Sequence, residues 1–89
     1  EIMLTVNFVD DVKKTFNGDS MRWVAGGNII DLIEELSDWY KLDPQSLVDF
    51  RYLVNGKEVP QKKWGKIKLK PRDGIMIMPK NFTPVVPED

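Results

Sequence analysis

Ile29, Leu32, Ile33, Leu36 and Tyr40 recur at the spacing of one helical face, while Asp31, Glu34, Glu35 and Asp38 fall largely on the other. This predicts an amphipathic helix over 28–40. Asn28 is placed to cap its first turn, Asp31 suits the positive end, and Lys41 follows the negative end. Elsewhere the period is two. Leu4, Val6 and Phe8 alternate with Thr5 and Asn7 in a first strand over 2–9, which Asp10 and Asp11 break. Asn17-Gly18 reads as a hairpin turn into a short strand over 21–24 that ends at Ala25-Gly26-Gly27; residues 12–16 carry neither period. After the helix, Asp43-Pro44 marks a loop, and Phe50 to Val54 forms a third strand closed by Asn55-Gly56. A very short strand over 57–59 and a single helical turn over 60–64 follow. Ile67 and Leu69, set between Lys66, Lys68 and Lys70, alternate as a further strand. Pro71-Arg72-Asp73-Gly74 then turns the chain into a closing strand with Ile75 and Ile77 on one face and Met76 and Met78 on the other. Residues 80–89 carry Pro84 and Pro87 and no period, which predicts an extended tail behind a domain of residues 1–79. One helix laid across a sheet built from both its flanks is the simplest arrangement of these elements.

Composition narrows the chemistry. At 89 residues there is room for one domain, which buries only roughly 60% of the surface its unfolded chain exposes. The chain has no cysteine and no histidine. A disulfide framework and a thiolate zinc site are excluded, and the usual general base and commonest metal ligand are missing together. A non-enzyme without cofactor or metal is the expectation. No stretch is apolar and long enough to be a membrane-spanning helix, and no secretory signal pattern occurs, so a soluble cytoplasmic protein is expected.

The net charge of −1 conceals an asymmetry: residues 1–50 sum to −6, residues 51–80 to +7, and the last nine to −2. A dipolar surface of this kind favours docking on a charged protein partner. Nucleic-acid binding through residues 57–72 is disfavoured by the pI of 5.4 and by the lack of aromatics among those lysines beyond Trp64. Trp23, Trp39 and Trp64 are expected to pack in or around the core, with Trp39, off the main helical stripe, as the exception. Lys66, Lys68 and Lys70 are expected to line the solvent face of an edge strand. Asp10-Asp11 and the helix carboxylates form no cation-binding loop pattern and are expected to be solvated.

Three stretches in this order carry a resemblance: Ala25-Gly26-Gly27-Asn28-Ile29 leading into Leu32-Ile33-Glu34-Glu35-Leu36, then Leu53-Val54-Asn55-Gly56-Lys57-Glu58-Val59-Pro60, then Arg72-Asp73-Gly74-Ile75-Met76-Ile77-Met78-Pro79. From Ile2 to Pro79 the sequence resembles the ubiquitin-like β-grasp proteins of the sulfur-carrier branch: the small subunit of molybdopterin synthase, the thiamine sulfur carrier and the modifier Urm. The resemblance implies an α+β fold, a mixed sheet of four to five strands with one helix packed across it. It also implies a C-terminal Gly-Gly whose carboxylate an activating enzyme adenylates. This sequence instead ends Val85-Val86-Pro87-Glu88-Asp89, with no glycine after Gly74, and Gly26-Gly27 precedes the helix without a free carboxylate.

The expectation is therefore a non-catalytic protein-binding domain, a small subunit or adaptor of an enzyme complex. The alternative is a sulfur carrier or modifier of the molybdopterin, thiamine or tRNA thiolation type whose active C-terminus is missing from this chain. The resemblance implies a contact through the exposed sheet face and the tail. An activating or sulfur-transfer type of enzyme, or a larger subunit, would then meet Arg51, Lys66, Lys68 and Arg72, with Met76, Met78 and Phe82 as apolar anchors.

Overall fold

The computed structural model describes residues 3–80. Five strands, β1 (Met3–Phe8), β2 (Met21–Ala25), β3 (Arg51–Val54), β4 (Lys57–Glu58) and β5 (Gly74–Met78), make one sheet in the order β2-β1-β5-β3-β4. β1 and β5 run parallel at its centre and the other pairs are antiparallel, so the sheet is mixed. Helix α2 (Ile29–Tyr40) packs across one face, and two short helices, α1 (Val12–Thr15) and α3 (Pro44–Val48), fill the loops on either side of it. This is the α+β arrangement expected from the two hydrophobic periods.

Alternation decides which side of each strand is inside. Leu4, Val6 and Phe8 of β1, Val24 of β2, Tyr52 of β3, and Ile75 and Ile77 of β5 are buried beneath the helix stripe of Ile29, Leu32, Ile33 and Leu36. The helix starts where its cap dictates: Asn28 is extended, and its Oδ1 accepts the Asp31 N–H at 2.8 Å. It stops at Lys41, which takes the left-handed conformation at φ 57° while its N–H bonds the Ser37 carbonyl. Ser37, the one buried polar side chain in the helix, donates to the Ile33 carbonyl at 2.7 Å.

Four local expectations are corrected. Asn17-Gly18 does not close a two-residue hairpin; both residues have positive φ, but Gly18 N–H bonds the Lys13 carbonyl at 2.7 Å and so terminates α1. Val12 and Phe16 bury here, and the Phe16 ring stacks on Phe8 at 4.3 Å and meets Tyr40 edge-on at 5.0 Å, closing one end of the core. Asp43-Pro44 opens a helix rather than a loop: Asp43 Oδ1 accepts the Gln45 N–H at 3.0 Å and proline takes the first helical position. Residues 66–70 are not a strand. Leu69 is 2% exposed and Ile67 37%, because the segment runs under the start of α2, where Leu69 N–H bonds the Gly27 carbonyl at 2.8 Å, and pairs with no strand. The tryptophans divide: Trp64 is buried with Nε1 donating to the Val59 carbonyl at 2.9 Å and Trp39, the expected exception, is 64% exposed, whereas Trp23, expected to pack, is 68% exposed.

Candidate functional site

The face of the sheet opposite α2 is set by the same alternation. Register places Met21 opposite Asn7 and Trp23 opposite Thr5; Asn7 lies opposite Met76, Met76 opposite Leu53, and Met78 opposite Arg51. Leu53, Met76 and Met78 are half-buried, while Met3, Met21 and Trp23 are exposed. Apolar residues thus lie on the outer face at β3 and β5 and again at β2, with Thr5 and Asn7 of β1 between the two groups. Methionine suits such a face, since its unbranched side chain adapts to irregular surfaces.

Of the residues singled out in the sequence, Arg51, Met76 and Met78 share this face. Arg51 is already engaged: its Nε donates to Glu58 Oε1 at 3.1 Å, a second guanidinium nitrogen reaches the same oxygen, and this pairing holds the Glu58 carboxyl below its usual range. Lys66, Lys68 and Arg72 lie at the opposite end of the strands, around the start of α2 and the turn before β5, so they form a rim rather than the middle of the face. Phe82 lies outside the described residues.

That rim is ordered by one asparagine. Asn55 and Gly56 both have positive φ and form the two-residue turn joining β3 to β4. The Asn55 side chain then reaches the other turn: its Nδ2 donates to Asp73 Oδ1 at 2.8 Å, and its Oδ1 accepts the Gly74 N–H at 2.9 Å. Asp73 Oδ2 also accepts the Lys70 N–H at 2.8 Å. That backbone bond first, and the Asn55 amide second, hold the Asp73 carboxyl below the usual carboxylate range. Two turns far apart in sequence are locked together at the start of β5.

Sequence reasoning missed Trp23, Met21 and Leu53. The available signal was the alternation itself: Val24 and Tyr52 facing the helix force their strand neighbours outward. Among the described residues no group of three or more His, Cys, Asp or Glu side chains is placed to hold a metal ion. Asp11 instead pairs with Lys14 at 3.5 Å in full solvent. No helix of the described residues is long and apolar enough to cross a membrane.

Comparison with protein-family models and with curated proteins returned no match. Solved structures do match. A protein described as molybdopterin converting factor, subunit 1, from Pyrococcus furiosus aligns over 89% of this chain and 98% of its own, at TM-score 0.72 and 21% identity. Small archaeal modifier protein 1 from Methanosarcina acetivorans aligns over 93% and 97%, at 0.71 and 19%. Mycobacterium tuberculosis CysO, described as an antigen, aligns over 85% and 97%, at 0.73 and 17%. At these identities the likeness is one of fold, and the fold is the ubiquitin-like β-grasp.

Proposed function

We propose that this chain is a non-catalytic protein-binding domain that docks on a larger subunit, or on an activating or sulfur-transfer type of enzyme, through the outer face of its sheet. The observation that supports this is the apolar group of Leu53, Met76 and Met78, with Met21 and Trp23 beyond Thr5 and Asn7, on the face that α2 leaves uncovered. Met76 and Met78 would anchor the partner, with Phe82 from the tail. Lys66, Lys68 and Arg72 on the rim would steer an acidic partner toward it. Arg51, tied to Glu58, would orient rather than attract.

The test is photo-crosslinking in the cell of origin from position 76, with position 34 on the far side of α2 as control, followed by titration of the captured partner. Met76→Asp and Phe82→Ala should each weaken binding by about 2 kcal/mol, and reversing Lys66 and Lys68 should slow association and flatten its salt dependence. Equal capture from positions 76 and 34 would remove this face from consideration. The second reading, a carrier or modifier, is favoured by the neighbours described as a converting-factor subunit and a modifier. The intact mass of the protein purified from its cell of origin separates the two: a Gly-Gly ending beyond Asp89 would establish the carrier reading, and a C-terminus without one is expected under the first.

A further inference from the structure

We propose that the free edge of β2, with the flank of α2 beside it, is a docking site for an extended, lysine- or arginine-bearing segment of a partner protein that joins the sheet as a sixth strand. The site adjoins the outer face, sharing Met21 and Trp23 with it, but its backbone edge and its cleft beside α2 do not depend on a partner at Leu53, Met76 and Met78.

β2 ends the sheet, and among the described residues no strand pairs with its outer side. Phe8 N–H bonds the Ser20 carbonyl at 2.9 Å, so the antiparallel alternation turns the backbone groups of Arg22 and Val24 toward β1. Those of Met21, Trp23 and Ala25 point away from it, a row of donors and acceptors that an extended chain would satisfy. Edges are commonly blunted by lysine, proline or a bulge, and β2 has none of these. Its one charge, Arg22, is engaged on the helix side, 3.8 Å from the centre of the Trp39 ring and 5.6 Å from that of Tyr40.

Beside this edge is a cleft of about 270 Å³ lined by Trp23, Val24, Glu35, Leu36 and Trp39, among others. An added strand would direct alternate side chains into it, apolar against Val24 and Leu36 or basic toward Glu35, and the intervening ones toward Trp23. Charge selects the occupant. Glu35 lines the cleft, Asp31 precedes it by one helical turn, and among the described residues the cation lining it, Arg22, lies over the Trp39 ring. A second copy pairing edge to edge would bring two acidic helix flanks together, and an acidic strand would meet the same repulsion. A basic, apolar-alternating segment fits both the ladder and the charge.

The experiment titrates the isotopically labelled 89-residue chain with a capped hexapeptide alternating lysine and valine, and with its glutamate counterpart, following amide and indole resonances. The lysine peptide is expected to saturate below about 1 mM, shifting the amides of Met21, Trp23 and Ala25 and the indoles of Trp23 and Trp39. It should also slow hydrogen exchange at the Trp23 amide. Glu35→Lys, an exposed change that leaves the core intact, should weaken the lysine peptide about tenfold and strengthen the glutamate peptide. Shifts centred on Leu53, Met76 and Met78, affinity indifferent to peptide charge, or no saturation would each overturn the proposal. So would a concentration-dependent shift at Met21 and Trp23 without peptide, which would assign the edge to a second copy.

Discussion

The two faces of one sheet are built from the same strands and from different kinds of residue. Under the helix stand Val6, Val24, Ile75 and Ile77 with the rings of Phe8 and Tyr52, side chains with few rotamers to lose. On the outer face stand Met3, Met21, Met76 and Met78 with Trp23, chiefly flexible side chains that one rigid packing would not specify. Under the proposed function the difference would separate stability from recognition within a sheet one residue thick. The inner face holds the fold together, and the outer face would adapt to a partner without disturbing it.

Four measurements can break or sharpen that contrast. Leu36→Ala removes a fully buried side chain from the helix stripe and should cost about 2–5 kcal/mol in denaturant melts; a loss under about 1 kcal/mol would mean that the inner face does not carry the stability. Tyr52→Phe should cost about 1–2 kcal/mol, since its hydroxyl donates to the buried Leu47 carbonyl at 2.7 Å. Burial also pushes that hydroxyl well above the usual phenol range, so its contribution is complete below about pH 10 and is lost as pH rises further. The phenylalanine variant should therefore lose less stability in alkali than the parent, and parallel alkaline limbs would contradict this. Trp23→Ala, on the outer face, should change stability by no more than about 0.5 kcal/mol; a cost like that of Leu36 would erase the contrast. The smallest effect is at the edge of both faces. Because the folded Asp73 carboxyl lies below its ordinary range, its stabilising effect is present above about pH 4 and fades as pH falls below it. Thermal melts of Asp73→Asn should show a flatter acid limb, and an unaltered one would deny the Asn55 clamp a role in stability.

How much could be read in the sequence follows the same division. Period 3.6 located α2 with its cap, and period two located β1, β3 and β5, because burial on one side imposes those periods directly. α1 and α3 were missed because elements of four and five residues are too short to show a period. Residues 66–70 misled because alternating residue types do not make a strand without a partner ladder. The site was less legible still. The alternation of β5 put Met76 and Met78 on one face, whereas Lys66, Lys68 and Arg72 were grouped with them by charge, and only the course of the chain shows that they sit at the other pole. Trp23 could not be separated from Trp64 by type, since both are tryptophans beside apolar neighbours.

The position of β5 bears on the order in which the chain can fold. It is the last strand described, yet it occupies the middle of the sheet, parallel to β1 on one side and antiparallel to β3 on the other. During synthesis β1, β2 and α2 emerge first, with the slot for Ile75 and Ile77 still open, and no arrangement of the earlier elements can close it. Folding must therefore wait for nearly the whole domain, and the closing step joins segments from opposite ends of it. Such distant pairing belongs to the slower, millisecond-to-second range for small domains, and until it happens the two inner edges of the future sheet stay exposed to whatever else can pair with them.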